Sequence, residues 1–460
     1  MLSFPVAGFS AWSGAAREAA LAFASTGGVF GTVSVVNDYR VSRVSAAVGV
    51  PVFVPTFDLY GDYAGCLHEM TFIEGGAADV LRAAVAASVE YTGDDHTLEC
   101  AASGDLDAID DPQIQAWLAD NAAAIALLPA AVDLPYAGIY ELPEGKPLYL
   151  LEESHLGPLR RLAQGNVMIG RRMAARGQLE PAIDRYLDTT KLGSQIGEGL
   201  LMIDHLVGCA TQKAGADAIL DAFAGDTRMN FALLAEQARS RFPPLAPMSI
   251  PLQYGRMIAL DLLQRTYTYC EEYGLYILDP FVVKDCFDES SASQTCSGIG
   301  IWLSASGLEE QVARVNAVYD ELTCAVMVPY QLGQSNLRDL DRRVHEDTFK
   351  TRYPLLVLFY TKYHFWHSLA TANEARRRAV LLVAEIKAFE QREGRLPESI
   401  EALHVGSIAI DPFDARLMRY RRIDQDFTLY SVGENGTDEG GVAGDHLDEN
   451  DLVFWPRPAR

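Results

Sequence analysis

Apolar residues recur every three or four positions from Asp111 to about Ser368, a spacing that predicts amphipathic helices packed face to face. Asp111-Pro112 supplies a cap and a first-turn proline for a helix running toward Ala130. Arg160 to Gly177 is amphipathic, and Gln178-Leu179-Glu180-Pro181 opens a partner helix with Ala182, Tyr186 and Leu187 on one face. Gly199 to Ala224 continues the pattern until Gly225-Asp226, and Pro243-Pro244 with Pro247 marks a break. Tyr254 to Tyr273 and Leu308 to Val328 are further helices, and Leu355 to Trp366 is an almost wholly apolar one. Upstream the pattern changes. Val33 to Val36 and Val50 to Phe57 are β-branched and aromatic and predict short strands, and Ala77 to Val89 predicts a helix.

The last ninety residues carry a different signature. Ala379, Leu382, Ile386 and Phe389 repeat at helical spacing within Glu374 to Glu393, and Gly394 sits where a left-handed residue ends a helix. A short helix to Leu403 and an Asp411-Pro412-Phe413 turn follow. Leu417 to Ile423, Phe427 to Val432 and Asp451 to Trp455 then read as three strands. The expected fold is therefore mainly α, an irregular array of helical hairpins, ending in an α+β head of one long helix on a small antiparallel sheet. Three regions are expected: a mixed α/β region over 1–111, a helical domain over 112–370 and the head over 371–460.

Charge narrows the function. The chain holds 62 Asp and Glu against 38 Lys and Arg, a formal net of -24. Such an excess excludes a general nucleic-acid binder, which needs cations to replace phosphate counterions, and disfavours adhesion to anionic lipid. No Lys or Arg lies between Arg82 and Lys146, whereas Glu90, Asp94, Asp95, Glu99, Asp105, Asp107, Asp110 and Asp111 do. That run reads as a solvated acidic loop, with a cation site as the lesser alternative. Seven cysteines at irregular spacing give no disulfide framework, although Cys286 and Cys296 flank a polar loop and would bridge in an oxidising compartment. Ala19 to Asn37 is uncharged but diluted by glycines, and no clear membrane span or signal peptide is expected.

Four ordered motifs close the chain: EIKAFEQREGRLPESIEAL, DPFDARLMRYRR, FTLYSVGENGTDEGG and NDLVF. In this order they resemble the globular head of the major pseudopilin of type II secretion. The chain as a whole resembles long planctomycete-type proteins that carry such a head at the C-terminus. The resemblance implies a head that binds calcium in the loop after the second strand. Between Asp424 and Asp451 that loop holds nine acidic residues, no Lys or Arg, and glycines at 433, 436, 440, 441 and 444. Hard cations take six to eight oxygen ligands, and such a loop can supply them. By motif position the ligands would be Asn435, Asp438, Asp448 and Asp451, with the Leu429 carbonyl beside them; Asn435 stands where the family has an aspartate. The competing reading is a flexible acidic loop without metal.

Catalytic constellations are sparse. His364 and His367 lie three apart on one helix, His345-Glu346 is not a zinc-helix motif, and Ser154-His155, Asp204-His205 and Glu152-Glu153 are only sequence neighbours. Two functions are carried forward. The first is a non-enzymatic envelope or extracellular protein with a calcium-stabilised pseudopilin-like head, linked to secretion or surface assembly and acting through protein partners or self-association. The alternative is a hydrolase-like enzyme with a pocket among the helices.

Overall fold

A computed structural model describes residues 76–136, 138–140, 148–151, 154–225, 229–270, 275–278, 306–444 and 449–457, together with the backbone of three short strands nearer the start. Of those strands, β1 (Val33–Val35), expected from its β-branched run, pairs antiparallel with β2 (Ser42–Val44), a strand the pattern does not predict. The third, β3 (Phe53–Val54), pairs with a strand from the middle of the chain. The 286–296 loop with its two cysteines, the pair Glu152-Glu153, all of the Ala19 to Asn37 run except Val33–Val35, and Asp448 lie outside the described residues.

Six short helices follow: α1 (Ala77–Ala86), α2 (Asp95–Ser103), α3 (Leu106–Ile109), α4 (Pro112–Asp120), α5 (Ala122–Ile125) and α6 (Leu128–Ala131). The acidic run expected to be a loop is largely helical here, and its aspartates act as caps. Asp94 accepts from the Thr97 amide at 2.8 Å, Asp105 from Asp107 at 2.9 Å and Asp111 from Gln113 at 2.8 Å. Carboxylates at helix starts also oppose the positive end of each helix dipole, so this charge stabilises local structure without needing a cation. The helix expected to run unbroken toward Ala130 is interrupted at Asn121. That buried amide bonds both the amide and the carbonyl of Val89, at 2.9 and 3.0 Å, and ties the α4–α5 corner to the α1–α2 connection.

The array then lengthens into α7 (Leu156–Ala175), α8 (Leu179–Gly197) and α9 (Met202–Gly225). Helices α8 and α9 touch backbone to backbone. A Cβ added to Gly208 would lie 2.6 Å from the Gly193 carbonyl oxygen and 2.7 Å from the Gly197 Cα. Only a residue without a side chain fits there. Next come α10 (Phe231–Arg241) and α11 (Ser249–Thr266). The helix expected to reach Tyr273 stops at Thr266, because Tyr267-Thr268-Tyr269-Cys270 is strand-forming sequence. It forms β4 (Tyr267–Cys270), flanked by β3 and β5 (Leu275–Leu278). Helices α12 (Leu308–Met327), α13 (Tyr330–Val344), α14 (Asp347–Arg352), α15 (Pro354–Phe359) and α16 (Tyr363–Glu393) complete the array. The apolar run Leu355 to Trp366 is split between α15 and α16 at Tyr360, whose hydroxyl donates to Asp341 at 2.5 Å. Among the described residues no single helix is long and apolar enough to cross a membrane; only the bent pair Pro112–Asp120 and Ala122–Ala131 passes that test jointly.

Helix α16 is 31 residues long, about 46 Å at 1.5 Å per residue. Its first turns pack in the array and its last turns carry the head, so residues 370 and 371 fall within it. Gly394, at φ 69°, ends it as expected. The head sheet is antiparallel in the order β6 (Arg419–Ile423), β7 (Asp426–Ser431), β8 (Leu452–Trp455). Phe427 of β7 stacks on Trp455 of β8 at 5.5 Å, and Lys387 of α16 lies 5.2 Å from the Trp455 ring. One continuous core joins Val167, Tyr186, Phe223 and Phe231 of the array to Leu382, Phe413, Phe427 and Trp455 of the head. The fold is thus mainly α with a small three-stranded sheet near the C-terminus. Charge seals the junction: Asp217 meets Lys213, Arg376 and Arg457, and Asp221 meets Arg171 and Arg457.

Candidate functional site

The acidic loop folds back on β7 and β8. Leu429 lies buried in the middle of β7, beside an irregularity in the β7–β8 register between Leu429 and Tyr430. Asn435 is exposed and organises the loop itself. Its oxygen accepts from the Thr437 amide at 2.8 Å, and its nitrogen donates to Glu439 Oε1 at 2.9 Å and the Glu449 carbonyl at 3.1 Å. Asp438 turns toward the sheet, where its Oδ1 accepts from the Tyr430 hydroxyl at 2.9 Å and the Gly440 amide at 3.0 Å, with Arg419 3.5 Å from Oδ2. Burial raises the Asp438 carboxyl, but these donors outweigh it and hold the group below the ordinary range.

Asp451 differs from the other three. It is 2% exposed; its Oδ2 accepts from the Gly441 amide at 2.7 Å and the Val442 amide at 3.3 Å, the Glu439 amide also pulls the carboxyl down, and its buried Oδ1 makes no hydrogen bond of good geometry among the described residues. Glu439 Oε2 is buried and donorless in the same way. Burial raises the Asp451 carboxyl, and the Glu439 charge adds to that rise against the pull of the Gly441 amide. Gly440 and Gly441, at φ 80° and 85°, allow the chain to wrap Asp451 in this manner. Reading by motif position selected Asp438 and passed over Glu439, because two adjacent acids point apart and only the fold decides which turns inward. Among the described residues no group of three or more His, Cys, Asp and Glu converges. Glu439 and Asp451 therefore offer a hard cation at most two of the six to eight oxygen ligands it takes, and any others would have to come from carbonyls, amides or water.

The same loop reaches the array. Glu434 Oε1 accepts from Arg338 at 2.6 Å and from Gln334 at 3.1 Å, both on α13. The turn that opens the head is held by Asp411, fully buried, which accepts from the Phe413 and Val432 amides at 3.0 Å each and from Ser431 at 2.9 Å.

The histidines do not assemble a metal site. His364 bonds the Asp341 carboxylate, whereas His367 packs its ring 5.1 Å from Tyr330. His345 turns to the Asp341 carbonyl at 2.7 Å, and Glu346 precedes α14. Asp204 accepts from Tyr140 at 2.5 Å, while its neighbour His205 approaches the Gly197 carbonyl at 3.4 Å. His155 packs edge-on to Tyr140, the one link between these two sequence pairs. Burial pushes His155 and His367 down to about 4, with Arg82 adding to the effect at His155. A histidine lowered in the folded state binds its proton first in the unfolded chain. Stability is thus expected to fall as pH drops from about 6.5 to 4, by on the order of 2–3 kcal/mol per group. Denaturant midpoints measured across that range in the His155→Phe, His367→Phe double variant should flatten; an unchanged pH slope would remove this account.

No protein-family model, no curated protein and no solved structure matches this chain.

Proposed function

We propose that this chain is a non-enzymatic envelope or extracellular protein in which a helical array carries a pseudopilin-like, calcium-stabilised head. It acts through protein contacts, in secretion or surface assembly. The observation that supports this reading is the pair of buried carboxylate oxygens on Glu439 and Asp451 that lack a donor. A buried carboxylate with one oxygen left without a donor is costly, and a divalent cation offsets that cost directly. Asp451 and Glu439 are the side chains that would hold the ion, and loop carbonyls or water would complete its shell. Bound there, the ion would be structural: it would close the loop between β7 and β8 and leave Glu434 poised on α13.

The full chain tests this. Calcium at one hundred times its dissociation constant is expected to add about 2.7 kcal/mol of stability, read as a melting temperature raised by a few degrees over chelator-treated protein. Asp451→Asn should abolish the increment while leaving the chelator-treated melting point nearly unchanged. No calorimetric heat and one melting temperature in both conditions would rule the proposal out. The hydrolase-like alternative draws only on the Asp341–His364 pair, and among the described residues no hydroxyl or thiol is bonded to the His364 ring, since Ser368 donates to its backbone carbonyl at 3.1 Å.

A further inference from the structure

A cavity of about 440 Å³ lies where the Pro244–Ser249 segment, the α12–α13 turn and α16 meet, with Pro412 of the head on its edge. Its mouth is apolar: Met327 is 75% exposed, and Val328 and Leu245 line it beside Pro247 and Pro329. Its deep side is polar. His205, His367 and Asn373 all line it and are 2%, 8% and 4% exposed. Each keeps a buried atom with no partner among the described residues: His205 Nε2, His367 Nδ1 and Asn373 Oδ1.

The identity of these atoms sets what they accept. Asn373 Nδ2 donates to Gln212 at 2.6 Å, which fixes Oδ1 as the free end. His205 points Nδ1 at the Gly197 carbonyl, and donation there leaves Nε2 unprotonated. Burial lowers both His205 and His367, so both imidazoles are neutral at pH 7. The one carboxylate on the lining, Glu374, is already held by Arg377 at 2.7 Å and Arg378 at 2.6 Å. The walls are braced as well: Gln212 donates to the Pro243 carbonyl at 3.0 Å, Ser194 to that of Pro244 at 2.8 Å and Arg377 to that of Phe242 at 3.3 Å. A mostly apolar cavity at a junction, lined by side chains that carry buried polar atoms without partners among the described residues, has the anatomy of a small-molecule site.

We infer that this junction cavity binds an uncharged, largely apolar small molecule that presents hydrogen-bond donors to His205, His367 and Asn373. A carboxylate would meet the three acceptors beside an Arg378 already engaged by Glu374 at 2.6 Å and the Ile410 carbonyl at 2.7 Å, and an ammonium would meet Arg378 with no free carboxylate to receive it. The site is independent of the calcium loop.

Four naphthalenes of one shape separate these cases, titrated calorimetrically against the full chain. 2-Naphthol is expected to bind at one site. 2-Methoxynaphthalene, which lacks the donor, should bind about tenfold more weakly. 2-Naphthoate and protonated 2-naphthylmethylamine should fall at least as far. Ala370→Trp fills the cavity and should abolish 2-naphthol binding. Should that variant not fold, Met327→Glu places a charge at the exposed mouth and is expected to weaken binding without lowering the melting temperature. His367→Phe should weaken 2-naphthol by less than the alcohol-to-ether difference, because His205 and Asn373 remain to accept from its single hydroxyl. Absence of saturable 2-naphthol binding, or equal affinity for the alcohol and the ether, overturns the inference; the second outcome would mean that water alone satisfies the buried acceptors. Full-strength binding in either cavity variant overturns it too.

Discussion

Gly208→Val is expected to lower the stability of the chain by about 3 kcal/mol or more, through steric overpacking of the α8–α9 contact. The Cβ would start 2.6 Å from the Gly193 carbonyl oxygen and 2.7 Å from the Gly197 Cα, and neither is the end of a side chain that could rotate away. The two helices would have to separate, loosening the core that Tyr186, Ala216 and Ile219 build around them. Gly157 provides the contrast. It also lies in a helix, but a Cβ there meets nothing within 4 Å. Gly157→Ala should therefore be neutral or stabilise by up to about 1 kcal/mol, since alanine loses less backbone entropy on forming a helix. Denaturant midpoints of the two variants should move in opposite directions. A Gly208→Val protein that unfolds with the parent would show that the backbones do not touch in solution.

Asp217→Ala is the second large effect, about 3 kcal/mol, because it strips the counter-charge from a cluster of buried cations. Asp217 lies 2.9 Å from Lys213, 3.2 Å from Arg376 and 3.5 Å from Arg457. Lys213 is half exposed and can return to water; Arg376 and Arg457 are mostly buried, although Arg457 keeps Asp221 at 2.8 Å. Burial raises the Asp217 carboxyl, but Arg376, Lys213 and Arg457 outweigh it and hold the group well below the ordinary range. The sign follows from linkage. A depressed carboxyl contributes fully above the unfolded value near 3.9 and loses that contribution as pH falls toward the folded value. The difference between parent and Asp217→Ala should therefore be flat from pH 8 to 5 and shrink below about 4. Asp79, exposed and paired with exposed Arg82, is the control: Asp79→Ala should change stability by no more than about 0.5 kcal/mol. Equal effects at the two positions would mean that the junction is open to solvent.

Elements whose signals are local were legible in the sequence. Gly394 ends α16, Asp111-Pro112 starts α4, and the three C-terminal strands fall where alternation places them, because capping, first-turn proline and period-two pattern act over a few residues. Long-range effects were not legible. Nothing near Asn121 announces that its amide would be drawn to Val89, thirty-two residues away, and break a helix. The acidic run before residue 112 looked like spare charge because capping by Asp94 and Asp105 depends on where each helix begins, and short helices leave weak periodicity. In the acidic loop, composition could not say which of Asp438 and Glu439 turns toward the sheet. That choice is made by Tyr430 and Arg419 on the sheet, which draw Asp438 to themselves. The junction cavity has no sequence signature, since His205, His367 and Asn373 come from two helices far apart in the chain.

The shared core has a consequence for synthesis. A ribosome releases Val167 and Tyr186 more than two hundred residues before Phe427 and Trp455, yet all four belong to one cluster. The apolar faces of α8, α9 and α10 therefore wait without their final covering until the last strand, β8, has emerged. Chains that stop early expose that surface permanently, so the nascent protein depends on chaperones or on rapid completion, and premature termination yields aggregates instead of a shorter folded product.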